Sequence, residues 1–475
     1  MLDFKKYGDA EAPLKFFEEF SKIPHGSENT SAFAEYLCDF AKKRGLYYRR
    51  DEANNVIIKK PATKGYENRP AIIFQGHTDM VAEKKPGSPI DLLKDGLELY
   101  IEDGFLKARD TTLGGDDGVA IAYALAVLDS DSIEHPDFEA IFTSDEEIGL
   151  IGAAALDAFD VKGRMLINID SDEEGVFTVG CAGGVRSDIS LPVSYEMNTK
   201  PLAYKLTVSG FKGGHSGVEI DKGRYNAIKF FAEILASADG FNIASVIAGN
   251  ADNAIPRDAE AIIAADEGFA EKLEKAFAEK RELYLNIEPD ISLSVAKASL
   301  PETVLSEKST KDLISLINLA PSGVIAFSKS LKGLVETSLN LGILRLNEKN
   351  ADISFSVRSA VGEEKKKVCE HLCEIAEKFG ASYGERGAYP AWEYKEKSHL
   401  RDVMVKLYEE KYGKSPKVVI IHAGLECGLF SDKIPGIDCV SIGPDNFNIH
   451  TTEERLSLDS FARVWDYLRA VLKNI

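Results

Sequence analysis

The chain has 475 residues, with 57 lysines and arginines against 77 aspartates and glutamates, for a formal charge of −20. That acidic excess excludes nucleic acid as the main partner, because phosphate binding needs clustered cations that release counterions. At 44% hydrophobic and 28% charged the composition is globular, and the length exceeds the about 250 to 300 residues at which one core stops growing, so two domains are expected.

The N-terminal residues, Met1-Leu-Asp-Phe-Lys-Lys, hold no apolar stretch of signal-peptide length. No window reaches the roughly 18 to 20 apolar residues of a membrane span. The expectation is a soluble, cytoplasmic protein without a membrane partner. Cys38, Cys181, Cys369, Cys373, Cys427 and Cys439 lack CxxC pairing, which argues against a disulfide framework or a thiolate metal site. Cys369 and Cys373 stand beside Val368, Leu372, Ala376 and Phe379 and read as buried thiols on a helix.

Helical spacing starts at residue 31 with Phe33, Leu37, Phe40 and Ala41, and strands follow at Asn55-Val-Ile-Ile and Ala71-Ile-Ile-Phe. Val119 to Leu128 is a nearly all-apolar helix, Ala140-Ile-Phe-Thr a buried strand, Ile151 to Phe159 a helix and Met165-Leu-Ile-Asn-Ile another buried strand. Such alternation predicts an α/β layer sandwich whose chemistry collects in loops beyond the strand ends. After Gly183-Gly184 the texture becomes α+β: strands at 187–193 and 204–209, helices at 224–236 and 267–281, a strand at 353–358 and a helix at 363–379. The α/β texture returns beyond Trp392 with a helix at 400–412, the strand Lys417-Val-Val-Ile-Ile and a final helix after Ser457. The economical division is a catalytic domain in two parts, 1–185 and 393–475, interrupted by a second domain at 186–392.

Four strand ends carry polar clusters: Gln75-Gly-His-Thr-Asp, Thr111-Thr-Leu-Gly-Gly-Asp-Asp-Gly, Thr143-Ser-Asp-Glu-Glu-Ile-Gly, and Asp170 closing an apolar run. Singly, each has a plainer explanation. His77 and Asp79 fit a turn cap, Asp116 or Asp117 a helix cap, Glu146 and Glu147 two solvated side chains, and Asp170 a turn. Together, several carboxylates at one sheet edge would repel and be costly to desolvate unless cations neutralise them. Imidazole and carboxylate without thiolate suit a pair of divalent ions, zinc first. A second imidazole would come from His422 or His450.

The order Gly76-His-Thr-Asp, Leu113-Gly-Gly-Asp-Asp-Gly, Asp145-Glu-Glu-Ile-Gly, Asn168-Ile-Asp-Ser-Asp-Glu-Glu-Gly and a late His resembles the di-zinc exopeptidases related to carboxypeptidase and aminoacylase. Within them the sequence is most similar to the aminoacyl-histidine dipeptidases, or Xaa-His dipeptidases. Supporting phrases are Gly180-Cys-Ala-Gly-Gly, Lys212-Gly-Gly-His-Ser-Gly, Asn253-Ala-Ile-Pro-Arg, Thr337-Ser-Leu-Asn-Leu-Gly and His422-Ala-Gly-Leu-Glu-Cys-Gly-Leu-Phe.

The resemblance implies a three-layer α/β catalytic domain of di-zinc exopeptidase type with an inserted α+β lid, and a homodimer formed through that lid. It implies His77, Asp116 and Asp170 on one zinc, Glu147 and His450 on the other, and Asp116 between them. Manganese or cobalt could replace zinc. Asp79 would orient His77, and Glu146 would be the general base. Substrate contacts would be His215, Arg358, Asn253 and Asn340, with Arg358 receiving a carboxylate through its fork. His422 and Glu426 fall near the active site without counting as ligands. Asp117 departs from the asparagine common in that subgroup and adds a negative charge beside Asp116. The implied reaction is hydrolysis of small dipeptides, Xaa-His included; N-acyl amino acid deacylation is the second enzyme reading, and a metal-binding relative without catalysis the third. His25, His135, His371 and His399 read as structural or surface residues, and Lys365-Lys-Lys as a solvated helix face.

Overall fold

The computed structural model describes residues 2–329 and 333–475. The chain divides into two compact units, one made of residues 1–181, 394–420 and 425–475, the other of 182–393 and 421–424. Among the described residues no helix is long and apolar enough to cross a membrane.

The first unit is built on an eight-stranded sheet. Its strands are β1 (Tyr47–Arg50), β2 (Val56–Lys60), β3 (Ile72–His77), β4 (Phe138–Thr143), β5 (Met165–Asn168), β6 (Val176–Cys181), β7 (Lys417–Ile421) and β8 (Asp438–Ser441), in the order β1-β2-β4-β3-β5-β8-β6-β7. β3 runs parallel to β4 and to β5, and β8 parallel to β5. Strands β3 and β4 are buried along their whole length, which is why they read as unbroken apolar runs. The helix Gly115–Asp129 is apolar on every side and buried from Gly118 to Leu128. A helix without a polar face must be enclosed, and this one packs on β3 and on the helix Glu11–Phe20. A small four-stranded sheet ties Leu99–Glu102 and Phe105–Ala108 to the hairpin Asn446–Phe447 and Arg455–Ser457.

The second unit has a sheet whose main path runs Ser292–Lys297, Leu202–Ser209, Ala259–Ala265, Phe241–Ala248, Val335–Leu346, Asn350–Ser359, Gly183–Pro192, Ser382–Tyr389. The helices Ala227–Ala236, Phe269–Glu282, Glu307–Leu319 and Gly362–Lys378 belong to this unit, and Phe230, Phe231, Ile234, Leu313, Leu316 and Leu372 sit in its core.

Element boundaries depart from the sequence reading where side chains compete with the helix. The helix expected from Arg224 starts at Ala227, because Asn226 Oδ1 accepts the N–H groups of Ile228 and Lys229 at 2.9 and 3.2 Å. The helix expected at 151–159 stops at Ala155; Asp157 Oδ1 accepts Phe159 N–H at 3.0 Å and turns the chain away. Cys369 is buried, but Cys373 is only half-buried. Lys365 is not solvated like its neighbours: its ammonium donates to Tyr389 O at 2.6 Å and Gly184 O at 3.3 Å.

Candidate metal centre

Parallel pairing brings Gln75 level with Asn168 and His77 level with Thr143, so the segments beyond β3, β4 and β5 leave the sheet at one edge. That edge collects His77 and Asp79, then Glu146 and Glu147, then Asp170. Helix Gly115–Asp129 approaches close enough to add Asp116: a β-carbon on Gly76 would lie 2.2 Å from Ala120 Cβ and 2.3 Å from Asp117 Oδ2. Glycine is therefore required at 76. The Asp116–Asp117 peptide is cis.

His450 arrives from the 446–457 hairpin with its backbone in the left-handed region, at φ 63°. A carboxylate that sequence reasoning missed holds this hairpin to the Asp116 loop. Glu454, 4% exposed, accepts Leu113 and Gly114 N–H on Oε2 at 2.7 and 3.0 Å and Gly115 and Asp116 N–H on Oε1 at 2.9 and 3.5 Å. It thereby caps the otherwise orphaned donors of a helix N-terminus.

Three sets of side chains have ligand atoms within 4.8 Å of one another: His77, Asp116 and Asp170; Asp116, Glu147 and His450; His77, Glu146 and Glu147. The first two share Asp116. His77 Nδ1 donates to the Asp79 carbonyl at 2.9 Å, so a lone pair on Nε2 faces Asp116 Oδ1 at 2.9 Å and Asp170 Oδ1 at 3.6 Å. Lone pair against carboxylates is repulsive unless a cation, proton or metal, lies between them. On the other side His450 Nε2 stands 2.9 Å from Glu147 Oε1 and 3.1 Å from Asp116 Oδ2. One ring N–H cannot satisfy both, and Glu147 Oε1 remains buried without a hydrogen bond. An orphaned carboxylate oxygen amid imidazole and carboxylate donors fits divalent ions of the kind such ligands bind.

The titration behaviour has the same origin. Burial would lower the His77 imidazole, but hydrogen bonds to Asp116, Asp170 and Asp79 raise it well above the ordinary value. Asp116 and Glu147 raise His450 to about 10. Burial raises Asp170 to about 7, and burial with the neighbouring Asp170, Glu426 and Glu147 raises Glu146 well above the carboxylate range against the opposing pull of His77. Metal-free, the cluster keeps protons where cations would otherwise sit.

Asp79 does more for the glutamate pair than for the imidazole. Its carboxylate accepts Glu146 N–H at 2.9 Å, Glu147 N–H at 3.3 Å and Ser27 Oγ at 2.8 Å, whereas its Oδ1 is 3.5 Å from His77 Nδ1. Beneath the cluster, Glu426 is fully buried and accepts Gln75 Nε2 at 2.5 Å and Thr143 Oγ1 at 2.6 Å, while Asn168 Nδ2 donates to Gln75 Oε1 at 2.8 Å.

The remaining candidates lie in the second unit. Arg358 Nη1 donates to Tyr389 Oη at 2.9 Å, and its Nε is buried without a partner. Asn253 is exposed in the loop facing His215, whose neighbour Ser216 donates N–H to Asn253 O at 2.8 Å. Asn340 is a correction: it is 1% exposed and its amide nitrogen donates to Asp252 O and Ala254 O at 2.9 and 2.8 Å. It ties the Asn253 loop from below and has no free donor face for a substrate. His422 belongs here too, with Nε2 2.7 Å from Ser338 Oγ.

The profile of peptidase family M20/M25/M40 matches residues 73–474. The chain belongs to that family. This M20-family chain is 36% identical over 469 residues to the cytosol non-specific dipeptidase of Escherichia coli, covering 97% of the chain and 96% of the relative. The crystal structure of an aminoacylhistidine dipeptidase from Vibrio alginolyticus superposes with a TM-score of 0.91 at 35% identity, over 98% of this chain and 96% of that one. An aminopeptidase PepT from Bacillus cereus shares the fold, with a TM-score of 0.56 and 18% identity over 98% of both chains. The M20-family chain is thus a peptidase with dipeptidase relatives along almost its whole length, and neither dipeptidase match favours the deacylase reading.

Proposed function

We propose that this chain is a dinuclear metallo-dipeptidase that hydrolyses the single peptide bond of unblocked dipeptides, Xaa-His dipeptides among them. The observation that carries the reading is Asp116, shared between two His-carboxylate groups, with Glu146 beside them. Ligand roles follow from that sharing: His77 and Asp170 on one side of Asp116, Glu147 and His450 on the other. Two divalent ions, zinc in this reading with manganese or cobalt as substitutes, would offset the carboxylates, acidify a water and polarise the scissile carbonyl. Glu146, adjacent to Glu147 and beside the shared Asp116, takes the proton of the attacking water and passes it to the leaving amine. Asp79 aims Glu146 and Glu147 through their backbone N–H groups. Arg358 receives the substrate's terminal carboxylate, Asn253 supplies a polar contact, and His215 donates to the carbonyl oxygen as negative charge develops on it. Residues 186–392 serve as an inserted lid and homodimer surface, residues 1–185 and 393–475 as the catalytic domain, and the cytoplasm is the site of action.

Chelator-stripped protein should lose hydrolysis of Xaa-His and other dipeptides and regain it with zinc, while N-acetyl amino acids remain poor substrates throughout. Glu146→Ala should lower kcat by on the order of 10²- to 10⁴-fold with full metal content by elemental analysis. A metal-free protein of full activity would overturn the reading, and wild-type turnover in the Glu146 variant would remove its general base.

A further inference from the structure

The phrase Gly213-Gly-His-Ser-Gly packs more order around His215 than a surface loop requires. His215 lies on the short strand Gly214–His215, paired with Ala254–Ile255. Two backbone donors converge on its ring: Gly217 N–H reaches Nδ1 at 3.1 Å and Val218 N–H at 3.2 Å. A nitrogen that accepts cannot carry a proton, and an imidazolium has no acceptor at all. His215 is therefore neutral with its proton on Nε2.

The backbone that aims those donors is itself clamped. Glu219 Oε2 accepts His215 N–H at 2.9 Å, and Glu219 Oε1 pairs with Arg224 Nη2 at 2.7 Å. Arg224 Nη1 returns to Gly213 O at 2.5 Å, closing a ring from residue 213 through 215 and 219 to 224. The ring is packed so tightly that a β-carbon on Gly214, whose φ is +137°, would meet Arg224 Nη1 at 2.1 Å. Glu288, fully buried, fixes the outer flanks by accepting Lys212 N–H at 2.9 Å and Tyr225 N–H at 3.0 Å.

We propose that Glu219 and Arg224 are positioning residues that lock His215 into the neutral Nε2–H tautomer, so that it presents one fixed N–H donor to the carbonyl oxygen of the substrate. The inference rests on the reading of His215 as a substrate contact. Burial and the nearby Arg358 guanidinium lower the imidazole pKa, against the pull of Glu219, and so work in the same direction. A donor that is already oriented and carries no charge in the ground state strengthens its bond only as the oxyanion forms.

The test is a long-range ¹H–¹⁵N spectrum of the ¹⁵N-histidine holoenzyme, with the His215 signals assigned by their loss in His215→Gln. At neutral pH the wild type should show an unprotonated Nδ1 and a protonated Nε2. Glu219→Ala should mix the tautomers and lower kcat by on the order of 10²-fold with KM and metal content unchanged. Glu219→Gln, whose amide oxygen still accepts His215 N–H, should restore both signatures. His215→Gln, whose amide nitrogen reaches the Nε2 position, should retain more activity than His215→Asn, which reaches only Nδ1. A wild-type Nδ1–H or doubly protonated ring overturns the inference, as does Glu219→Ala with an unchanged tautomer and kcat. Wild-type turnover in both His215 variants would instead remove His215 from the substrate, with the spectrum still deciding the tautomer.

Discussion

Asp117 shows how burial, rather than residue type, sets charge at a single position. It is 1% exposed and accepts the N–H groups of His77 at 3.2 Å and Ala120 at 3.3 Å. Burial pushes its carboxyl well above the ordinary range, and Asp170 adds to that more than His77 subtracts. Burial thus disfavours the negative charge that the sequence places beside Asp116, and the neutral, nearly isosteric asparagine would carry none. Asp117→Asn should accordingly bind two metals per chain with dissociation constants within a few-fold of wild type in a competition titration against a chromophoric chelator. A change of tenfold, about 1.4 kcal/mol, would show that Asp117 is ionised and acts on the metals directly. No inspection of sequence could have separated these cases, because the local phrase Gly115-Asp-Asp-Gly is the same whether the second carboxyl is solvated or enclosed.

Among the elements, the helix Gly115–Asp129 is held to the 446–457 hairpin by Glu454. Four backbone N–H groups converge on its carboxylate, and Asn446 Nδ2 adds a contact at 3.1 Å. Glu454 thus braces the loop that carries Asp116 against the hairpin that carries His450. Glu454→Ala leaves buried donors unpaired, which costs about 1 to 3 kcal/mol of stability, and displaces the ligand loops. The expected result is a lower melting temperature together with metal binding weakened about 10- to 100-fold, as measured by calorimetry. Glu454→Gln, retaining one oxygen acceptor, should fall between. Equal metal affinity in wild type and Glu454→Ala would show that the ligands hold their own places. The strands β3, β4 and β5 and the enclosed helix were legible because a fully buried element must be apolar throughout, and the cluster of candidate ligands was legible because polar side chains collect beyond the ends of such strands. Glu454 was not: beside Glu453 it looks like one of two solvated acids, and its partners lie more than three hundred residues earlier. The same limit hid the clamp of Glu219 and Arg224, whose meaning depends on where a loop returns. The Asn226 cap and the Asp157 turn were readable in principle, as polar residues able to compete with a helix at its ends.

For the molecule as a whole, the −20 charge is partly a matter of protons. In the metal-free protein Asp116 and Glu147 raise His450 to about 10 and burial raises Asp170 to about 7, while hydrogen bonds to Asp116, Asp170 and Asp79 raise His77 against its burial. Ligation needs these groups deprotonated, so binding of the pair of ions must displace protons. The sign follows group by group. A histidine raised on folding, such as His450, stabilises the metal-free protein fully below its unfolded value of about 6.5 and ceases to do so as pH rises through about 10. Asp170, a carboxyl raised by burial, favours the folded state less and less as pH climbs from the ordinary carboxylate range through about 7. Both trends weaken the metal-free protein between pH 6 and 8, the same interval over which the ligands become available to cations. The melting-temperature gap between metal-loaded and chelated protein, at fixed free metal, should therefore widen from pH 6 to pH 8. Calorimetry in buffers of different ionisation enthalpy should record at least one proton released per pair of ions at pH 7. A gap that narrows with pH, or binding without proton release, would mean that the metals sit elsewhere than on His77, Asp116, Glu147, Asp170 and His450.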